Sequence, residues 1–243
     1  MTDLELSFLG SGNAFATGGL CWNGFTVDRR YLFESPPQTL MSLNRLGQDA
    51  NDLEAVILSH HHGDHFLGIP FLFLQWKYGG RTRPVTIVGP PGTEEVVRAL
   101  CNLAFPGEFN PRFPVNWVEL EPGAPVAVGD LELEAVAMKH DPRLALSLGF
   151  HARLNGRRFA YTGDSAMCDS VLDLARTAEV LVTECASRTS RVPVHMNLMD
   201  DMPVVRAALP ASSTLVLTHI EAGTATEELA NTFVARDFET YRV

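Results

Sequence analysis

Apolar positions along this chain gather in short runs broken by glycine, proline and polar turns, a rhythm that predicts strands more often than helices. The first run covers residues 4–9 and ends in Gly10-Ser11-Gly12-Asn13. Strands are expected at 24–27, 31–33, 54–58 and 85–88, the third running straight into Ser59-His60-His61-His62-Gly63-Asp64-His65. More are expected at 115–120, 131–138, 147–154, 158–162, 180–183 and 214–217. Helical spacing is confined to fewer segments. Leu40, Leu43 and Leu46 recur on one side of 37–46, and 66–78 has the length of a helix, with Pro70 tolerable in its first turn. Another helix follows Gly89-Pro90-Pro91-Gly92, capped by Gly92 or Thr93. Others are expected at 170–177, 198–208 and 226–234, the last with Glu227 and Glu228 suited to its first turn. Consecutive strands with fewer helices suggest an α/β (α+β) chain of two mixed or mostly antiparallel sheets with helices outside. No linker, repeat or low-complexity tract divides residues 1–243, so one domain is expected.

Composition narrows the function classes. Of 243 residues, 46% are hydrophobic and 20% charged, which excludes a disordered chain. Lys+Arg 19 against Asp+Glu 29 gives a formal charge of −10, and this disfavours a general nucleic-acid binder, whose phosphate contacts need clustered Lys and Arg. Lys77, Arg81 and Arg83 do form one local basic cluster, so nucleic acid stays a minor expectation. Cys21, Cys101, Cys168 and Cys185 are far apart and read as free thiols of a reducing cytoplasm. The opening Met1-Thr2-Asp3-Leu4-Glu5 lacks the basic and apolar regions of a secretory leader. No apolar run reaches the roughly 18 residues of a membrane helix. A cytoplasmic protein without membrane contact is expected.

The chemistry lies in the histidines. His60-x-His62-x-Asp64-His65 places metal-ligand side chains within one turn, after a buried strand and before a helix. There His60 and His62 can converge on one ion, while the step at Gly63 lets Asp64 and His65 point toward a second. Imidazole with carboxylate suits zinc, with manganese or iron as alternatives. The bland alternative, a histidine-rich surface turn, does not account for an aspartate at this offset in a strand-to-helix junction. His140, Asp164 and His219 each follow a predicted strand. Singly, such residues are more often structural than functional; together they supply a third histidine for each ion and a carboxylate between them. His61 and His151 read as structural or surface residues.

The order H-x-H-x-D-H, His140, T-G-D ending at Asp164 and T-H ending at His219 resembles the metallo-β-lactamase superfamily. Leu9-Gly10-Ser11-Gly12-Asn13-Ala14, the stretch 59–68, Gly89-Pro90-Pro91-Gly92 and Thr183-Glu184 with His195 are similar to its ribonuclease Z branch. The resemblance implies an αββα four-layer sandwich with the site at one edge. It implies that His60, His62 and His140 hold one zinc ion, that Asp64, His65 and His219 hold a second, and that Asp164 bridges them. It further implies a hydrolase with a metal-bridged hydroxide, in which Asp64, Glu184 and His195 serve catalysis and the Glu–His pair assists the leaving group. A Glu–His pair that merely orients loops is the structural alternative. The chain departs from the branch where His195-Met196-Asn197 replaces H-x-T.

Only 24 positions separate His140 from Asp164, room for two strands and not for the long transfer-RNA-binding arm of the branch. The expected activity is therefore hydrolysis of a small or cyclic phosphodiester. The alternatives are a lactone, thioester or carboxylic ester hydrolase, a transfer-RNA 3′-processing endoribonuclease, and a non-enzymatic metal-binding sensor. The predicted helix over 66–78 is apolar around nearly its whole circumference, and with the resemblance this leads to the expectation of a homodimer.

Overall fold

Strands buried on both faces read as unbroken apolar runs, and that is what most of the predicted runs become. The computed structural model describes residues 3–226 and 229–243. One sheet holds β1 (Glu5–Gly10), β2 (Gly24–Val27), β3 (Tyr31–Phe33), β4 (Ala55–Ile57), β5 (Val85–Gly89), β6 (Val115–Glu119) and β14 (Thr240–Arg242), in the order β14-β1-β2-β3-β4-β5-β6. The other holds β7 (Pro125–Val128), β8 (Leu131–Ala137), β9 (Leu148–Leu154), β10 (Arg157–Tyr161), β11 (Val180–Cys185), β12 (Thr214–Ile220) and β13 (Thr232–Val234), in the order β13-β12-β11-β10-β9-β8-β7. Both sheets are mixed: β3 to β6 run parallel while β14, β1, β2 and β3 alternate, and β10 to β13 run parallel while β7 to β10 alternate.

The sheets pack face to face over an aromatic core. Phe25 and Phe33 stack at 5.1 Å, and Phe33 meets Phe150, Phe159 and Tyr161 of the opposite sheet edge-on at 5.7–6.2 Å. Outside the first sheet lie α1 (Thr39–Arg45), α2 (Gly63–Phe66), α3 (Ile69–Tyr78) and α4 (Thr93–Ala104); Leu43, Leu72, Trp76 and Val97 pack there with Leu32, Val56 and Ile87. Outside the second lie α5 (Asp169–Thr177) and α6 (Met202–Ala208), whose Val171, Leu174, Met202 and Val205 pack with Leu181 and Leu215. The expected four-layer sandwich is borne out. No helix among the described residues is long and apolar enough to cross a membrane.

Several expected elements differ. The helix expected over 226–234 is a strand at its end: Thr232, Phe233 and Val234 are β-prone and pair in parallel with Leu215, Val216 and Leu217. Glu227 and Glu228, expected in its first turn, lie outside the described residues. The helix expected over 66–78 breaks at Gly68, where the backbones of Pro36 and Gly68 approach so closely that a β-carbon would meet the Pro36 carbonyl at 2.1 Å. The helix expected over 198–208 begins only at Met202, because Asn197 and Asp201 close a turn before Pro203: Asp200 N–H donates to Asn197 Oδ1 and Asn197 N–H to Asp201 Oδ2, each at 2.8 Å. Strands β7 and β14 were not expected; both are short edge strands, β7 a four-residue run that opens on Pro125 and β14 only three residues with two of them exposed.

Most of the apolar circumference of α3 is covered within the chain. Ile69, Pro70, Leu72, Phe73 and Trp76 are buried, and Trp76 Nε1 donates to the Ala50 carbonyl at 2.8 Å. Phe71 and Tyr78 remain exposed, with Leu67 just before the helix.

Phe33→Ala is expected to destabilise the chain by about 3–5 kcal/mol, the range for deleting a buried phenylalanine. The shift in urea midpoint at constant slope measures it, and a change under about 1 kcal/mol would mean that the sheets close over the cavity.

Candidate metal centre

Five strand ends deliver the site, all at one edge of the sandwich. The loop after β4 carries His60 and His62, and α2 carries Asp64 and His65. His140 follows β8, Asp164 follows β10, Glu184 is the penultimate residue of β11, and His219 that of β12. Two local devices aim these side chains. His219 is the extra residue of a bulge between β11 and β12, with a left-handed φ of 51°. Gly163 also has a positive φ, 57°, and a β-carbon there would meet both the Leu148 carbonyl and Ser59 Cβ at 2.7 Å, so the residue before Asp164 must be glycine.

The buried Asp164 carboxylate is the meeting point. Its Oδ2 lies 3.3 Å from Nε2 of both His65 and His219, and 3.9 Å from Nε2 of both His60 and His140. Asp64 Oδ2 lies 3.3 Å from His65 Nε2 and 3.4 Å from His219 Nε2. The donor atoms of His60, His62 and His140 lie within 4.8 Å of one another, as do those of Asp64, His65 and His219, and those of His60, His65 and Asp164.

These atoms face one another as acceptors. His140 Nδ1 lies 3.0 Å from the Val194 carbonyl, which can only accept, so Nδ1 bears the proton and Nε2 a lone pair. His62 Nε2 likewise donates to Asp141 Oδ2 at 3.2 Å, leaving a lone pair on Nδ1. The two lone pairs then oppose each other at 3.1 Å, an arrangement that a cation between them resolves. His60 Nε2, His65 Nε2, His219 Nδ1 and Asp164 Oδ1 are buried without a hydrogen-bond partner among the described residues. Orphaned nitrogens and oxygens in this number, on imidazole and carboxylate, fit transition-metal ions.

Electrostatics point the same way. Burial works against a charged His65, yet Asp164, Asp64 and Glu34 outweigh it and push the imidazole well above its ordinary range. Burial would raise Asp164 and Asp64; the surrounding histidines instead hold both far below the usual carboxylate range. His60, ringed mainly by other imidazoles, is pushed well down by burial. Such a centre attracts positive charge that its own protons supply only in part.

Glu184 and His195 form a separate couple beside it. His195 Nδ1 donates to Glu184 Oε1 at 2.8 Å and lies 4.0 Å from Asp164 Oδ2. Glu184 also accepts the N–H groups of Ser165, Ala186 and Met196 at 2.8, 3.1 and 3.3 Å. Its oxygens are thus committed, which separates it from the orphaned groups. Burial opposes charging His195, but the Glu184 bond and the Glu184 and Asp164 charges raise it to about 9. Asn197 is buried in the turn before α6.

His61 and His151 lie apart from the centre: His61 Nε2 meets Thr93 Oγ1 at 2.9 Å, and His151 Nδ1 meets Thr177 Oγ1 at 3.2 Å. Three supporting residues were not among the expected site residues. Ser59 Oγ meets His60 Nδ1 at 2.8 Å, Asp141 orients His62, and the fully buried Glu34 faces His65 Nδ1 at 3.5 Å and accepts the Ser59 N–H at 3.3 Å. Asp141 follows His140 directly and was the most accessible of them. The basic cluster dissolves: Arg81 is buried and donates to the carbonyls of Asn51, Leu53, Arg83 and Pro84, while Lys77 pairs with Glu108 and Arg83 with Asp52.

The Beta-lactamase superfamily domain family matches this chain over residues 29–220. The chain belongs to that family. The Ribonuclease Z of Methanosarcina acetivorans is 27% identical to it, aligning 90% of this chain with 88% of the relative. Among solved structures, the metallo-beta-lactamase fold protein YhfI from Bacillus subtilis superposes with a TM-score of 0.80 at 19% identity over 100% of both chains. Human tRNase Z, short form, does so with 0.78 at 19% over 98% of each. The expected superfamily and its ribonuclease Z-like branch are borne out, and this superfamily member is a metal-dependent hydrolase whose histidines and aspartates are able to bind metal.

Saturating zinc is expected to stabilise the superfamily fold here. A ligand at about 100 times its Kd adds about 2.7 kcal/mol, and for a chain of this size each kcal/mol raises the thermal midpoint by about 2–4 °C. Calorimetry with zinc and with chelator measures the gain, and Asp164→Ala should remove most of it.

Proposed function

We propose that this chain is a phosphodiesterase acting on a small or cyclic phosphodiester. In this reading His60, His62 and His140 would hold one zinc ion, Asp64, His65 and His219 would hold a second, and Asp164 would serve both; manganese or iron are the alternatives. When bound, the ions supply a water of lowered pKa and neutralise charge developing on the phosphoryl oxygens. The protein's own part is proton handling. Asp64, held ionised by His65 and His219, would orient the attacking water as a hydrogen-bond acceptor. His195, with Nδ1 committed to Glu184, keeps Nε2 for the leaving oxygen.

The Glu184–His195 couple carries this reading. An imidazole kept charged 4.0 Å from the central aspartate is what an alkoxide leaving group needs. Small size follows from the short connection between His140 and Asp164, which holds only a loop and the hairpin of β9 and β10. The engaged basic cluster and the charge of −10 leave little to grip a long RNA. Cleavage of transfer RNA remains the second reading, favoured by the name of the 27% identical relative.

His195→Ala is expected to lower kcat on diesters with poor leaving groups by about 10²-fold or more, and much less on p-nitrophenyl diesters, whose leaving group needs no proton. Equal losses on both would remove His195 as the acid. Bis(p-nitrophenyl) phosphate should be cleaved faster than p-nitrophenyl phosphate; faster turnover of a lactone or thioester panel would overturn the phosphodiester reading.

Leu67 and Phe71 stay exposed beside the metal loop, and we retain a homodimer through this face as part of the proposal. Sedimentation equilibrium at micromolar concentration should give twice the 26.7 kDa chain mass; the monomer mass would exclude it.

A further inference from the structure

The metal centre opens into a cavity of about 640 Å³, a size that suits a small organic ligand. Its rim is built around Phe15. The ring is 84% exposed, yet the turn that carries it is pinned throughout. Asn13 Oδ1 accepts the Phe15 N–H at 3.1 Å and Asn13 Nδ2 donates to the Ala186 carbonyl at 2.8 Å. Trp22 Nε1 donates to the Ala14 carbonyl at 3.1 Å, and the Ala222 N–H to Thr17 Oγ1 at 2.8 Å. A large apolar ring held outside the core by this many bonds has no packing role within the chain. Val192 and Val194 continue the apolar wall of the cavity.

Arg143 supplies charge to the same cavity. Its Nε and Nη2 are fixed on Asp141, which holds His62 in turn, and its side chain is otherwise 86% exposed. Nη1 makes no hydrogen bond among the described residues and is free to donate. The cavity thus combines a planar aromatic face, a guanidinium and the His195 imidazole. A small diester with only alkyl or sugar substituents would use the guanidinium and the imidazole and leave the ring in water.

Resting on the phosphodiesterase reading, we propose that Phe15 is a stacking platform for a planar aromatic group of the substrate, so that the diester cleaved here carries a nucleobase-type ring, with Arg143 donating to its phosphoryl oxygens. Aromatic side chains stack any base on its π-face, with an effect on the order of tenfold in binding per base. The site is thereby tuned to a class of substrate rather than to one sequence or one base.

Two diesters with the same p-nitrophenyl leaving group and the same charge provide the test: thymidine 5′-(p-nitrophenyl phosphate) and ethyl p-nitrophenyl phosphate. The zinc-loaded protein should show a KM about tenfold lower for the thymidine ester. Phe15→Ala should cut that preference to near unity and Phe15→Trp should retain it, at equal zinc content. Arg143→Gln should raise KM for both esters together. Saturation-transfer NMR with thymidine 5′-monophosphate gives a readout apart from turnover: the base protons should lose their signal in Phe15→Ala. An unchanged preference and unchanged base signal in that variant would overturn the stacking role. If neither ester is cleaved while the NMR contrast holds, the phosphodiesterase reading fails and the aromatic subsite stands.

Discussion

Everything at this edge of the molecule depends on too many lone pairs pointing at one place. His140 Nε2 and His62 Nδ1 oppose each other because their other nitrogens are committed to a carbonyl and a carboxylate that can only accept. Asp164 sits among four imidazoles with one oxygen unpartnered, and His60 and His65 are orphaned beside it. A folded chain tolerates buried polar groups when each has a partner. Here the missing partners share one chemistry, a cation, and share one location.

The fold serves this constraint at some local cost. A four-layer sandwich of two mixed sheets brings several strand ends to one edge, so residues far apart in the chain converge without a long loop. The last ångströms need special backbone. His219 and Glu34 both adopt left-handed conformations that non-glycine residues avoid, with φ of 51° and 62°, and each bears on the metal loop or its ligands. The aromatic core beneath, from Phe25 to Tyr161, is the packing that offsets such strain. Below the candidate ligands lies a set of supporting groups, Ser59, Asp141 and Glu34, that fix which nitrogen of the His60, His62 and His65 rings faces inward.

How much of this could be read from residue order follows from the range of each signal. The H-x-H-x-D-H tract is local and needs only a turn, so it was legible at once. His140, Asp164 and His219 were legible because each comes at the end of a segment whose pattern predicts a strand. Glu34 was not: it follows a strand in the same way, but a single glutamate carries no pattern, and its role exists only once β3 lies beside β4. The helix expected over 226–234 failed because polar spacing near the end of a chain is weak, while pairing with β12 is a tertiary event. The basic cluster of Lys77, Arg81 and Arg83 misled for the same reason, since Arg81 turns inward to satisfy four carbonyls and stack on Trp76. Phe15 carries no pattern in the residue order, since its place at the cavity rim exists only in the folded chain.

Anomalous diffraction at the zinc edge from crystals of the zinc-reconstituted chain tests the binuclear centre most directly. Two peaks on either side of Asp164 are predicted, one among His60, His62 and His140 and the other among Asp64, His65 and His219. A single peak, or two peaks away from Asp164, would contradict it.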